Sequence, residues 1–212
     1  MLLAFDTSTS AVTVALHDGH EVMASSTVID ALRHGELLAP GIASVLAQAG
    51  ATPAVLTRIA VGVGPGPFTG LRVGIVTART MGVVLGIAVD GVCSLDILAA
   101  EVSASHVIDG PFVVATDARR KEVYWAAYDA HGVRLDGPHV DRPAVVGTTA
   151  PVAGRGALLY PDAFSCPAGP QYPDAAFLAR AVAEATVELT SSEPLYLRRP
   201  DAVESDARKR VL

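Results

Sequence analysis

The first thirty residues alternate large apolar and smaller or polar positions in the way that predicts β-strands. Residues 2–6 are a short apolar run that ends at an aspartate, and every second residue from Val12 to Leu16 is large and apolar. Asp18-Gly19 is a strong hairpin signal, and a third strand is predicted over about 20–28. The pattern therefore predicts a meander of three strands.

The hydrophobic period then changes to that of helices separated by short buried strands. The pattern predicts a helix over 34–48, a strand over 58–63, a helix over about 70–85 and a strand over 87–89. A further helix is predicted to start with Ser94 as its N-cap. The first unit thus has the order βββαβα, followed by one more strand and one more helix.

The pattern restarts near residue 107, and an internal repeat can be tested by a fixed offset. Adding 111 to the number of Asp6 gives Asp117, and both aspartates end an apolar strand and precede a polar turn and a second strand. We therefore predict two units of α/β structure. They are an N-terminal subdomain over 1–105 and a C-terminal subdomain over 106–195, followed by a tail over 196–212.

Two α/β units that each open with an aspartate-bearing hairpin resemble the architecture of actin, sugar kinases and heat-shock ATPases. The resemblance implies an α/β fold with two actin-like βββαβα-type subdomains, of which the second is degenerate because its loops between 137 and 173 are rich in proline and glycine. In that fold the two hairpins grip phosphate with backbone N–H groups. A degenerate nucleotide site would consist of Asp6, Thr7, Ser8, Gly64, Gly66 and Asp117.

Composition and charge narrow the function classes. The 212 residues are 50% hydrophobic but only 5% aromatic, so the core must be built from aliphatic side chains. Sixteen basic residues against twenty-two acidic ones leave a net charge of −6. A protein that binds nucleic acid alone usually carries a basic face, so we do not expect this chain to bind tRNA or DNA by itself.

The predicted location is the cytoplasm, with no membrane span. Cys93 and Cys166 form no pairing framework, as in a reduced protein, and no secretory signal is recognised. Residues 37–57 carry no charge, but Pro40 and Pro53 divide them into one helix and a loop.

The glycine-rich loop over 62–70 invites a phosphate-binding interpretation but fails its specific tests. A dinucleotide fingerprint would need glycine where Pro67 stands, and a P-loop would need a lysine that the loop lacks. Two prolines also remove backbone donors. A rigid turn into a helix is the favoured interpretation, and a dedicated phosphate cradle stays the alternative.

A stripe of small residues follows this loop at four-residue spacing: Gly70, Gly74, Ala78, Gly82 and Gly86. Glycine inside a helix costs about 0.5–1 kcal/mol relative to alanine, so close packing must compensate. The stripe faces either a neighbour within the chain, such as the 34–48 helix, or a partner protein.

No metal site or serine nucleophile is predicted. None of the six histidines forms a His-x-x-x-His pair, and no Gly-x-Ser-x-Gly elbow is present. Asp6 and Asp117 could act as acid/base groups in a cleft between the units. However, the residues that follow them are bulkier than the glycines that close phosphate approach favours.

Motifs along nearly the whole chain identify a family resemblance. The matching segments are Phe5-Asp6-Thr7-Ser8, Arg33-His34 with Glu36-Leu37-Leu38, Gly64-Pro65-Gly66, Phe68-Thr69-Gly70-Leu71-Arg72-Val73-Gly74, Ser94-Leu95, Asp117-Ala118-Arg119-Arg120, Glu122-Val123-Tyr124 and Tyr196-Leu197-Arg198. On these residues the chain resembles the TsaB family, also called YeaZ, which takes part in forming threonylcarbamoyladenosine beside the tRNA anticodon. It departs from the family at Pro67, where serine is common.

The resemblance implies a non-catalytic dimerisation subunit. Its paralogous partner TsaD carries the metal and the transferase activity, the ATPase TsaE joins the complex, and ATP or ADP would bind only at a shared interface. An isolated chain would form a homodimer or stay a monomer. The implied partner surface is made by the two N-terminal helices, with Leu37, Leu38, Ile42, Val45, Gly70, Arg72, Gly74, Ala78 and Gly82.

Two other function classes stay open. An ATP-dependent small-molecule kinase of the same architecture would need nucleotide bound by both hairpins. A glycoprotease-like metallopeptidase would need a bound metal ion.

Overall fold

Two β-sheets with helices packed against them make up the computed structural model, which describes residues 1–198. The first sheet has five strands in the order β3-β2-β1-β4-β5. These strands are β1 (Leu2–Asp6), β2 (Ala11–His17), β3 (Val22–Ile29), β4 (Arg58–Gly62) and β5 (Ala88–Val92). Helices α1 (His34–Gln48), α2 (Phe68–Leu85) and α3 (Ser94–Ser105) complete this part of the chain.

The pairing in the first sheet confirms the predicted meander and the βββαβα order. Strand β1 pairs antiparallel with β2 and parallel with β4, and β4 pairs parallel with β5. Parallel neighbours need a crossover connection, and α2 supplies the one between β4 and β5. The carboxyl ends of β1 and β4 therefore meet at one edge of the sheet, next to the first turn of α2.

The second sheet repeats this order with one strand fewer. Its strands are β6 (Phe112–Asp117), β7 (Val123–Tyr128), β8 (Arg134–Asp141) and β9 (Val152–Ala153), in the order β8-β7-β6-β9. The short helices α4 (Pro143–Val146) and α5 (Arg155–Leu159) flank β9. The predicted fold class, two α/β units of which the second is degenerate, is confirmed.

The last helix, α6 (Ala175–Ala183), follows the second sheet in sequence but packs on the first. Leu178 and Val182 of α6 share a buried cluster with Ala4 of β1 and Ala60 of β4. Helix α6 also lies against α3. The chain therefore crosses between the two units twice, and the division at residues 105 and 195 stays a prediction.

Some predicted element boundaries are wrong. Ser94 is the first residue of α3 rather than its N-cap, a position that Cys93 occupies without a side-chain cap. The last helix ends at Ala183, and Asp174 caps its start by accepting from the Ala176 backbone N–H at 2.7 Å. The Ser94 hydroxyl is used elsewhere, as shown below.

The small-residue stripe of α2 faces the chain's own first sheet and, at Gly70, also His34 of α1. Gly70, Gly74, Ala78 and Gly82 are all buried. A Cβ atom at Gly74 would lie 2.5 Å from Thr7 Oγ1, and one at Gly82 would lie 2.4 Å from Val89 Cγ2. Since real Cβ atoms do not approach so closely, these glycines allow α2 to sit directly on the strands.

The large apolar residues of α1 are also buried within the chain. Leu38, Ile42 and Val45 belong to the main core cluster together with Val14 of β2 and Leu71 of α2. Helices on a sheet bury their apolar stripe against that sheet, so these three side chains face the core, and the partner surface itself stays a prediction. Of the nine predicted interface residues, only Leu37 is partly accessible and only Arg72 is exposed.

Helix α2 is also long enough and apolar enough to cross a membrane, judged by length and composition alone. The structure gives this helix another role, because its buried stripe lies on β4 and β5 as the crossover of a βαβ unit. A core helix of this kind passes the same test.

The predicted tail over 196–212 is described only as far as Arg198. Tyr196 stacks on Phe68 of α2 with ring centroids 5.3 Å apart, and Arg198 donates to Ala118 O at 2.9 Å and pairs with Glu122. The start of this segment therefore touches both units. Residues 199–212 lie outside the described part of the chain.

Two helical glycines give opposite expectations for the same substitution. We expect Gly74→Ala to destabilise the protein by about 1–3 kcal/mol, because the new methyl group meets a Thr7 hydroxyl that is hydrogen-bonded on both sides. Gly35→Ala meets no atom within 4 Å and should be neutral or stabilising by up to about 1 kcal/mol. Urea unfolding of both variants measures the difference. Equal effects would show that α2 does not pack as described.

Candidate functional site

The turn after β1 is organised around the carboxylate of Asp6. Its Oδ1 accepts from the Ser8 backbone N–H at 2.8 Å and from Ser8 Oγ at 2.7 Å, while its Oδ2 accepts from Ser94 Oγ at 2.5 Å. Asp6 is 1% exposed, and this burial raises its pKa despite the three donors. The carboxylate therefore joins the β1 turn to the start of α3 and does not reach solvent.

Thr7 connects the same turn to α2. Its Oγ1 donates to Gly70 O at 2.8 Å and accepts from Gly74 N at 3.0 Å. Thr7 is fully buried. Both hydrogen-bonding functions of the hydroxyl are thus used within the chain.

The glycine-rich loop over 62–70 lets the turn after β1 approach it closely. A Cβ atom at Gly62 would lie 1.7 Å from Asp6 Oδ2, and one at Gly66 would lie 2.1 Å from Ser8 O. The backbone N–H of Gly64 donates to Ser94 Oγ at 3.1 Å. The interpretation of this loop as a rigid turn agrees with these contacts, because its glycines make room for Asp6 and Ser8.

Asp117 occupies the matching position at the end of β6. Its Oδ1 accepts from the Arg119 backbone N–H at 2.8 Å, as Asp6 accepts from Ser8, and its Oδ2 lies 3.4 Å from the Arg119 guanidinium. The shared geometry supports the offset of 111 found in the sequence. Unlike Asp6, Asp117 is only partly buried and lines a cleft between the two units.

That cleft is a cavity of about 360 Å³ with walls from both units. The lining residues are Thr9, Ser10, Ile29, Asp30, Ala31, Pro67, Thr116, Asp117, Arg119, Arg155, Leu159, Gln171 and Tyr172. A second cavity of about 350 Å³ shares five of these residues and continues towards His34 and Phe68. Among the six residues of the predicted nucleotide site, only Asp117 lines either cavity, and Asp6, Thr7 and Ser8 are buried beneath them.

A partly buried carboxyl group, that of Glu101, lies in a neighbouring cavity. Glu101 of α3 lines an adjoining cavity with Asp174, and its Oε2 is buried without a hydrogen-bond partner in residues 1–198. Burial, with a smaller contribution from the charge of Asp174, raises the pKa of Glu101 to about 7.

No group of three or more His, Cys, Asp or Glu side chains within residues 1–198 is placed to hold a metal ion. The buried thiol of Cys93 has a pKa raised to about 12 by burial and the nearby Asp96.

The cleft between the two units offers hydroxyls, two guanidinium groups and carboxylates that are already paired. Such a set suits binding more than acid/base chemistry.

Comparison with known proteins places this geometry in a family. The TsaD family model, described as tRNA N6-adenosine threonylcarbamoyltransferase, matches residues 28–161. The solved structure of YeaZ from Pseudomonas aeruginosa superimposes with a TM-score of 0.76 at 30% identity, covering 92% of this chain and 99% of that one. The chain belongs to the TsaB (YeaZ) family.

Relatives by sequence agree with this assignment. An uncharacterized protein of Mycobacterium leprae is 44% identical over 95% of this chain, which spans 56% of that protein's length. The tRNA threonylcarbamoyladenosine biosynthesis protein TsaB of Bacillus subtilis is 35% identical over 60% of this chain and 54% of its own length. The chain thus spans little more than half the length of either relative.

Sequence reasoning missed the residues that this TsaB-family member exposes on α2. Val76, Val83 and Val84 are 60%, 84% and 76% exposed, and Arg72 and Arg79 lie on the same side of the helix. These residues lie on the side of α2 opposite the glycine stripe. The helical spacing of the stripe could therefore have been used to predict them. Of the two alternatives left open for the stripe, the structure shows a neighbour within the chain.

Removing the Ser94 hydroxyl should test the centre of this site. Ser94→Ala leaves the Gly64 N–H unpaired and removes one donor from the Asp6 carboxylate, so we expect a loss of about 1–3 kcal/mol in the free energy of unfolding. Ser44→Ala, which removes an exposed hydroxyl on α1, serves as the control and should change stability by less than about 0.5 kcal/mol. A Ser94→Ala variant as stable as the control would contradict the described hydrogen bonds.

Glu101 should make stability depend on pH. The folded pKa of about 7 lies above the ordinary value of 4.5, so the folded state holds the proton more tightly. Its stabilising contribution is complete below about pH 4.5 and is lost as the pH rises towards 7. Relative to wild type, Glu101→Gln should therefore gain stability between pH 4.5 and 8 in urea unfolding. The exposed Glu184→Gln should follow the wild-type profile, and a Glu101→Gln profile parallel to both would refute the shift.

Proposed function

We propose that this chain is a non-catalytic subunit in the biosynthesis of threonylcarbamoyladenosine in tRNA and that it acts by binding a TsaD-type paralogue. Membership of the TsaB family, whose member in Bacillus subtilis is named for this pathway, supports the proposal. The burial of Asp6 supports the non-catalytic part. A carboxylate that three donors hold away from solvent is not placed to act on a substrate.

The observation that carries the partner role is the exposed apolar face of α2. Three valines on one helix expose more than half of their surface to solvent. A cluster of this kind is typical of a protein–protein contact. Arg72 and Arg79 flank the valines, and apolar surface with an arginine at its edge is common in such interfaces.

Helix α1 extends this face with small side chains. Ala39, Pro40, Ala43 and Ala47 are exposed on α1, and α1 lies next to α2. Small residues let a partner helix approach closely, which the glycine stripe was first expected to do. We therefore define the α1/α2 outer face as Ala39, Pro40, Ala43, Ala47, Arg72, Val76, Arg79, Val83 and Val84. Leu37 and Arg72 are the members of the predicted set that stay within reach of a partner.

The remaining parts of the proposal rest on the family resemblance. The TsaE ATPase joins the heterodimer, and ATP or ADP binds only where subunits meet. With a net charge of −6 this chain contacts tRNA through the complex rather than alone. In isolation it pairs with a second copy through the α1/α2 outer face, and the complex works in the cytoplasm.

Placing a charge on the α1/α2 outer face should break the partner contact without unfolding the chain. We expect Val83→Glu to weaken binding of the TsaD paralogue by about tenfold or more, because a carboxylate would be buried against an apolar surface. Val133→Glu puts the same charge on an exposed valine of the second unit and should bind like wild type. Titration calorimetry measures both affinities, and thermal unfolding verifies the fold.

Two results would refute this interface. One is unchanged binding by Val83→Glu and by a second variant, Val76→Glu. The other is equal weakening by Val133→Glu. Crowding Gly74 or Ala78 is not a suitable test, because these residues pack inside the chain.

A further inference from the structure

The cavity between the two sheets has features that partner binding through α1 and α2 does not use. Its walls come from the turn between β1 and β2, the ends of β3 and β6, and the segments around Arg155 and Tyr172. At about 360 Å³ it falls within the range of small-molecule sites. Ligand binding in this cavity would not depend on the proposed function.

One of the charged side chains in the cavity wall has no partner of opposite charge. The Asp30 carboxylate already accepts from Arg33 Nε at 2.7 Å, and Asp117 is held by its own neighbour Arg119. Arg155 is different, because within residues 1–198 its guanidinium has no carboxylate at ion-pair distance and donates only to the neutral Gln171 Oε1 at 3.2 Å. The half-buried Arg155 therefore leaves an uncompensated positive charge in the wall.

A buried hydroxyl in the same wall has no partner. Thr116 is 3% exposed and lines the cavity, and its Oγ1 makes no hydrogen bond within the described residues. Leaving a buried hydroxyl unpaired costs about 1–3 kcal/mol. Natural sequences rarely keep such a group unless something else pairs with it.

The rest of the lining is partly apolar. The Tyr172 ring lies with its centroid 5.8 Å from the Arg155 guanidinium, and Ile29, Leu159 and Pro67 complete the wall. A cation, an unpaired hydroxyl and an aromatic ring beside aliphatic side chains together match a small molecule with one anionic group and a compact carbon skeleton.

We propose that this cavity binds a small organic anion, a carboxylate or a phosphate monoester, with Arg155 as its main cation and the Thr116 hydroxyl as a further hydrogen-bond partner. Arg119 stands at the rim and is shared with Asp117. The ligand carries a single anionic group rather than a polyphosphate chain.

The two hairpin turns do not suit a polyphosphate ligand. The Ser8 N–H donates to Asp6 and the Arg119 N–H donates to Asp117, so both turns spend these backbone donors on their own aspartates. A nucleoside triphosphate would lack the donors that such hairpins otherwise offer.

Amide NMR titration of the full chain with inorganic phosphate and, separately, with the monocarboxylate butyrate tests the proposal. We expect one of the two anions to shift the resonances of Thr116, Arg119 and Arg155 in a saturable way. Phosphate alone would identify a phosphate monoester as the ligand class, and butyrate alone a carboxylate. Arg155→Gln and Thr116→Val should each weaken the binding, Arg155→Gln by about tenfold or more.

Matched variants separate the site from a general charge effect. Arg142→Gln removes an exposed arginine that does not line the cavity, and it should leave the affinity unchanged. Arg155→Lys keeps the charge and should lose less affinity than Arg155→Gln, which decides the question if the glutamine variant is unfolded. The proposal is overturned if neither anion shifts these resonances, or if Arg142→Gln and Arg155→Gln weaken binding alike.

Discussion

The buried carboxylate of Asp6 holds together the part of the molecule on which the rest is assembled. Its hydrogen bonds fix the β1 turn through Ser8 and the start of α3 through Ser94, and Ser94 in turn fixes Gly64 of the loop that leads into α2. Three elements distant in sequence therefore meet at one side chain. The arrangement requires Gly62, since any Cβ there would occupy the position of the carboxylate. The same hydrogen bonds keep the Asp6 carboxylate away from solvent, so it cannot act directly on a substrate.

Much of the fold could be predicted from the sequence because hydrophobic period and turn residues act locally. The meander, the long helices and the duplication at Asp6 and Asp117 follow from such signals. The direction of the glycine stripe did not, because a row of small residues shows only that something approaches closely. Whether that neighbour is the chain's own sheet or another protein depends on tertiary packing. Gly74 settles the question only once Thr7 is seen beside it.

The candidate site was harder to predict for the same reason. Asp6 and Asp117 look equivalent along the chain, yet the first is sealed by Ser94, a residue 88 positions away in sequence, and the second faces the cleft. Arg155 and Thr116 carry no motif. They gain significance from what does not surround them: Arg155 has no carboxylate and Thr116 has no hydrogen-bond partner within residues 1–198. A missing partner of this kind depends on tertiary packing and leaves no signal in the sequence.

The placement of α6 has a consequence for how the protein comes to be folded. The helix that covers Ala4 and Ala60 of the first sheet is encoded after the whole second sheet. During synthesis the first sheet, complete at residue 92, therefore keeps one apolar face uncovered until about ninety further residues, up to residue 183, have left the ribosome. Contacts so distant in sequence slow folding and prolong the exposure of that face. A chain truncated after β9 would keep strands β1 to β9 but would lack the helix that covers the sheet synthesised first.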